Sequence, residues 1–81
     1  MDQERLRARI LELFIGAGGD EQLPTGKKFR DDPTWDSIRY AEFLIALQNT
    51  FRIRLSTREI VDLDSLETAE KIVATHLKSI D

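Results

Sequence analysis

Between positions 3 and 15, apolar residues recur at Leu6, Ile10, Leu13 and Phe14, with Leu11 beside them. Steps of three and four place these side chains on one stripe of a helix and leave the other face polar. The pattern predicts an amphipathic helix over roughly Gln3–Ile15. Asp2 and Glu4 lie where the positive end of the helix dipole favours negative charge. Gly16, Gly18 and Gly19 end the helix, because glycine accepts left-handed backbone geometry at little cost. From Gly16 to Trp35 no period is visible, and the stretch reads as a loop. Leu23, Phe29 and Trp35 are its expected anchors into the core, Pro24, Gly26 and Pro33 its turns, and one short helical turn fits within it.

Asp36 is a good N-cap for a second helix over about Ser37–Phe51, and Pro33 cannot lie inside that helix. Its apolar residues exceed one stripe. Tyr40, Leu44, Leu47 and Phe51 share one side, whereas Ile38, Ala41 and Ile45 lie on another. Either the helix is central and mostly buried, or its second strip meets a partner. Phe51-Arg-Ile-Arg-Leu55 alternates like a strand but is short and has no evident pairing partner. An extended connector with Ile53 and Leu55 turned inward is expected. Ser56-Thr57-Arg58-Glu59 is a capping-box pattern that opens a short third helix through about Leu63. Asp64-Ser65-Leu66-Glu67 is a second such signal. It precedes a last helix with Leu66, Ala69, Ile72, Val73 and Leu77 on one face and a Glu67–Lys71 pair on its surface. The expectation is an all-α, four-helix bundle with a short third helix and a long loop between the first two, as one domain over residues 1–81.

Composition narrows the classes of function. A chain of 81 residues has a thin core, burying about 60% of its unfolded surface, so a large enclosed active site is not expected. The formal charge is −3, and the densest basic stretch, Lys27, Lys28 and Arg30, runs directly into Asp31 and Asp32. That reads as a solvated loop, so no nucleic-acid partner is expected. There is no cysteine, which excludes disulfides and thiolate chemistry from the chain itself. Met1-Asp2-Gln3-Glu4 is acidic, unlike a signal peptide. The longest apolar run, Phe43 to Leu47, is far short of the roughly 20 residues a membrane span needs. A cytoplasmic protein with no membrane partner is expected.

Catalytic arrangements are hard to assemble. His76 has no acid–nucleophile set in prospect and reads as a surface or boundary residue. Asp31, Asp32 and Asp36 fall in a loop and cap region that looks exposed, without the burial that tunes an acid–base pair. Gly16-Ala-Gly18-Gly19 follows a helix rather than a strand, so it is not a phosphate loop. Neither an enzyme nor a metal site is expected.

The informative stretch is Trp35-Asp36-Ser37-Ile38 through Leu55. Asp-Ser-Ile opens the second helix; Glu42, Phe43, Leu44, Ala46 and Leu47 follow; Phe51 comes fourteen residues after the serine and leads into Phe51-Arg-Ile-Arg-Leu55. In this the chain resembles the acyl carrier protein and peptidyl carrier protein family, as a stand-alone member. The likeness extends more weakly to the whole chain through helix order and the long loop with Phe29. It implies covalent attachment of 4′-phosphopantetheine, taken from coenzyme A, to the Ser37 hydroxyl by a phosphopantetheinyl transferase. Acyl or aminoacyl intermediates would then be held as thioesters and passed from a loading ligase to downstream transferases. Independent physics suits Ser37, because a phosphodiester at a helix N-terminus faces unpaired N–H groups and the positive dipole end. Asp64-Ser65-Leu66 repeats the tripeptide, but no apolar connector follows it and no long loop precedes it. Ser65 is read as a cap.

The resemblance also implies a docking surface on the second helix at Asp36, Ile38, Ala41, Glu42 and Ile45, presented by a monomer. Fatty-acid-synthesis members carry a strongly acidic second helix, whereas Ser37–Phe51 here holds only Arg39 and Glu42 as charges. Steering follows the summed field, so this helix should attract basic partners weakly. A specialised pathway is expected rather than housekeeping fatty-acid synthesis, with a mild lean toward an aminoacyl load. The competing expectation is a small helical interaction domain without a prosthetic group.

Overall fold

A computed structural model describes residues 2–24, 26–33 and 35–79. It contains α1 (Gln3–Gly16), a single 3-10 turn (Phe29–Asp31), α2 (Ser37–Phe51), α3 (Thr57–Asp62) and α4 (Leu66–Ser79). The chain is an all-α bundle, and its 11.7 Å radius of gyration is that of a compact domain of this length.

Local chemistry sets each helix end. The Asp2 carboxylate accepts the Arg5 N–H at 2.9 Å and starts α1. At its far end the N–H groups of Gly18 and Gly19 bond the carbonyls of Ile15 and Phe14, each at 2.9 Å. This double closure needs a left-handed residue, and Gly18 supplies it with φ 100°. Gly19 lies against the Phe14 ring, where a β-carbon would come within 2.4 Å of it. At the end of α2, Arg52 takes the left-handed position with φ 54°. The Gln48 amide then donates to the Leu44 carbonyl and accepts the Leu55 N–H at 3.0 Å. That tie holds the connector extended, so Leu55 is buried and Ile53 partly so.

Two caps follow in quick succession. Ser56 and Glu59 form the expected capping box of α3. At α4 the expected Ser65 cap forms, and the box is Ser65 with Thr68 rather than the Asp64–Glu67 pair. The Ser65 hydroxyl accepts the Thr68 N–H at 3.1 Å, and Thr68 Oγ1 accepts the N–H groups of Ser65 and Asp64 at 2.9 and 3.0 Å. Threonine at the third helical position thus fills the reciprocal role expected of Glu67. Freed from the cap, Glu67 pairs with Lys71 at 3.3 Å.

α1 packs against both α2 and α4. The core consists of Leu6, Ile10 and Phe14 from α1, Phe43 and Leu47 from α2, and Leu63, Ala69 and Val73 from the C-terminal third. The long loop is internally packed. Its Phe29 N–H donates to the Asp64 carbonyl at 2.8 Å, and its side chain enters a ring cluster with Phe14, Trp35 and Phe43 at centroid separations of 4.8–6.1 Å. Rings at these distances gain beyond their burial. Two acidic side chains of the interior were not foreseen from the sequence: Asp32, expected to be exposed with Asp31 and Asp36, is buried where the long loop closes on the core, and so is Glu70. Glu70 is held by Arg7 Nε at 3.1 Å and Gln3 Nε2 at 3.2 Å, satisfying a carboxylate that would be costly to bury alone.

α3 buries no residue fully. It is held from α2 by the Tyr40 hydroxyl, which contacts the Ile60 carbonyl and lies 2.9 Å from that of Leu63. Burial, chiefly, pushes the Tyr40 pKa up.

Candidate functional site

Ser37 is the first residue of α2, and its side chain is exposed. The Asp36 carboxylate caps the helix by accepting the Arg39 N–H at 2.9 Å, so the serine beside it is spared that duty. Among the described residues the Ser37 hydroxyl has no hydrogen-bond partner. The N–H groups of Ser37 and Ile38 precede the helix's own bonding pattern and sit at the positive end of the dipole. Arg39 reaches back to Asp36 with a 3.3 Å ion pair and lies over Gly18, where a β-carbon would meet its Nε at 2.7 Å. The pair balances the Asp36 charge close to the serine.

Ser65 occupies the opposite environment. It is 4% exposed, its oxygen is engaged by the Thr68 N–H, and its backbone bridges Lys28 in the long loop. Of the two Asp-Ser sites, only the first offers an accessible hydroxyl.

The second apolar strip of α2 faces outward. Ile38 is 70% and Ile45 57% exposed, with Asp36, Ala41 and Glu42 also at the surface. The two stripes read from the sequence are therefore divided, one to the core and one to solvent. Val61 of α3, 71% exposed, adds to the apolar surface. The sequence held a signal for it, because adjacent Ile60 and Val61 cannot both face inward on so short a helix.

Beside Ser37 lies a groove of about 480 Å³. Phe29 and Leu63 are its most deeply buried lining, Trp35, Tyr40 and Ile60 are half-buried, and Ser37 stands among its exposed members. Trp35 packs on Phe14 at 4.8 Å and Phe29 at 5.2 Å. It thus serves as a loop anchor while also presenting a ring to this groove.

His76 lies at the boundary, as expected, and has a partner there that the sequence did not announce. Its Nε2 lies 2.7 Å from Glu59 Oε2, joining α4 to α3. The Ser56 N–H, first, and the His76 ring hold the Glu59 carboxyl below its usual range. Ser56, Glu59 and His76 do not form a nucleophile set, because the serine oxygen accepts the Glu59 N–H and the imidazole meets only the carboxylate. The arrangement caps one helix and ties it to another. Among the described residues no three acidic or histidine side chains gather as metal ligands. No helix among them is long and apolar enough to cross a membrane.

What the fold and site define is a small helical domain presenting one unengaged serine at a helix start, next to an apolar strip and an open groove. No known protein family, curated protein or solved structure matches the chain.

Proposed function

We propose that this chain is a carrier protein that holds acyl or aminoacyl groups as thioesters on a 4′-phosphopantetheine arm attached to Ser37. The observation that carries the reading is the exposed, unengaged Ser37 hydroxyl at the start of α2. It combines with the resemblance of the Asp36–Leu55 stretch to the acyl and peptidyl carrier proteins. Attachment requires the Ser37 oxygen to bond to the pantetheine-bearing phosphorus of coenzyme A. The pyrophosphate bond breaks, adenosine 3′,5′-bisphosphate leaves, and the hydroxyl proton passes to a base on the transferase. The arm supplies the terminal thiol, and hence the thioester chemistry, that a chain without cysteine lacks.

Each neighbouring group has a part in this account. Asp36 fixes the start of the helix one residue earlier, which keeps Ser37 at the first helical position with its side chain outward. The leading N–H groups of α2 favour a phosphodiester there. Arg39 offsets the carboxylate charge of Asp36, which would otherwise repel that anion. The partners are a phosphopantetheinyl transferase, an acyl- or aminoacyl-loading ligase and downstream transferases, working on a cytoplasmic monomer. Asp36, Ile38, Ala41, Glu42 and Ile45 form their docking surface. With apolar contacts outnumbering charges on it, recognition rests on shape and apolar burial more than on long-range attraction, as befits a specialised pathway.

The test is to incubate the purified chain with coenzyme A and a broad-specificity phosphopantetheinyl transferase and to measure intact mass. One phosphopantetheine should be gained by the wild type and none by Ser37→Ala. The exposed Ile38, Ile45 and Val61 also suit a second reading, an interaction domain without a prosthetic group, and under it the wild-type mass stays unchanged.

A further inference from the structure

The exposed strip of α2 ends on charge, at the pole of the helix away from Ser37. Ile38, Ile45 and Arg52 are spaced by seven residues, which keeps them on one stripe with about 20° of drift at each step. Arg52 closes the helix, and Phe51, Ile53 and Leu55 turn inward around it, so Arg52 and Arg54 both face solvent. Two residues apart on an extended connector, their α-carbons stand about 7 Å from each other. Every arginine on the α-helices is paired with a carboxylate: Arg5, Arg7, Arg9, Arg39 and Arg58. The side chains of Arg52 and Arg54 have no hydrogen-bond or ion-pair partner among the described residues. Arg52 also holds a φ of 54°, a conformation that glycine or asparagine adopts with less steric penalty. The negative end of the α2 dipole suits one cation here. It does not call for a second beside the first, since the two repel each other.

Resting on the carrier reading, we infer that Arg52 and Arg54 receive a pair of carboxylates on the enzyme that loads the Ser37 arm, and so set the direction in which that enzyme lies along α2. The apolar strip carries an isoleucine toward each end and does not by itself tell a partner which way to lie. Charge at one end does, because a mismatched orientation leaves it unpaired. At 1.5 Å per residue, Arg52 stands about 22 Å from Ser37. That falls inside the roughly 30 Å width of an interface patch of about 800 Å². Each guanidinium presents a fork that matches one carboxylate. A nucleic acid or an anionic membrane suits the pair less well. The chain carries a net charge of −3, two arginines neutralise few phosphates, and the pair adjoins exposed isoleucines rather than further cations.

The test uses chain modified by the broad-specificity transferase, then incubated with ATP and a soluble extract of the native source. Arm-ejection mass spectrometry follows the rate at which the arm gains its load. The double variant Arg52→Glu with Arg54→Glu should be loaded about tenfold more slowly at low salt, and Arg52→Lys with Arg54→Lys should keep most of the wild-type rate. The deficit of the glutamate variant should shrink to about twofold at about 0.5 M salt. Thermal melts should leave all three proteins folded at the assay temperature. Loading of the glutamate variant at the wild-type rate in low salt overturns the inference. A deficit that salt leaves unchanged also overturns it, since that marks a structural role. So does co-sedimentation of the wild type, and not of the glutamate variant, with phosphatidylglycerol vesicles, which assigns the pair to a membrane. A wild-type chain that takes up no arm, or whose arm gains no load, instead sinks the carrier reading itself.

Discussion

Replacing Ser65 by alanine removes an oxygen that accepts the Thr68 N–H and leaves that donor in a buried setting, since Ser65 is 4% exposed. Loss of an N-cap costs about 0.5–2 kcal/mol, and burial places this one toward the upper half, at about 1–2 kcal/mol. In a domain of this size each kcal/mol lowers Tm by about 4–8 °C, so Ser65→Ala should melt about 4–16 °C below wild type. Ser37→Ala removes an exposed hydroxyl with no partner among the described residues, and should change stability by less than about 0.5 kcal/mol. Thermal melts by far-UV circular dichroism, with urea midpoints alongside, measure both variants under one set of conditions. The reasoning is refuted if Ser37→Ala destabilises as much as Ser65→Ala, because Ser37 would then be a working cap. It also fails if Ser65→Ala is neutral.

Three further outcomes follow from the same contacts. Gly19→Ala should cost about 1–3 kcal/mol by driving a methyl into the Phe14 ring, whereas Gly16→Ala, with open space around its site, should stabilise by about 0.4–1 kcal/mol; chemical denaturation of the pair checks both signs. Because the Glu59 carboxyl is held below its usual range, its contribution is present above the unfolded-state value and is lost as pH falls through the folded one, so the stability gap between wild type and Glu59→Gln should close on acidification; a gap that widens contradicts the assignment. The double variant Ile38→Ser with Ile45→Ser should leave Tm nearly unchanged, since both side chains are exposed. It should lower the transferase kcat/KM about tenfold, the effect of losing about 1.4 kcal/mol of apolar contact, and steady-state kinetics with unaltered melting is the check.

Much of the fold was legible because its signals are local. Asp36 before Ser37 marked the start of α2, and the paired Ser56 and Glu59 marked that of α3. The three-and-four spacing of Leu6, Ile10 and Phe14 marked the buried side of α1. What escaped depends on contacts distant in sequence or on competition between near-equal choices. Asp64 and Ser65 both looked able to cap α4, and the choice went to Ser65 because Thr68 reciprocates. Nothing near His76 announced Glu59, seventeen positions away, nor did Arg7 and Gln3 announce Glu70 across the bundle. At the site, periodicity separated Ile38, Ala41 and Ile45 from the core stripe but could not say whether they faced protein or water. The groove was invisible in the sequence, because Phe29, Trp35, Tyr40 and Leu63 reach it from three different segments.

The most direct trial of the account is peptide-level mass spectrometry of the chain purified from its native source. It should find a thiol-terminated phosphopantetheine, free or acylated, on the peptide containing Ser37 and nothing on that containing Ser65. An unmodified Ser37 in protein whose source actively modifies its other carriers would contradict the central claim, and so would the arm on any other residue.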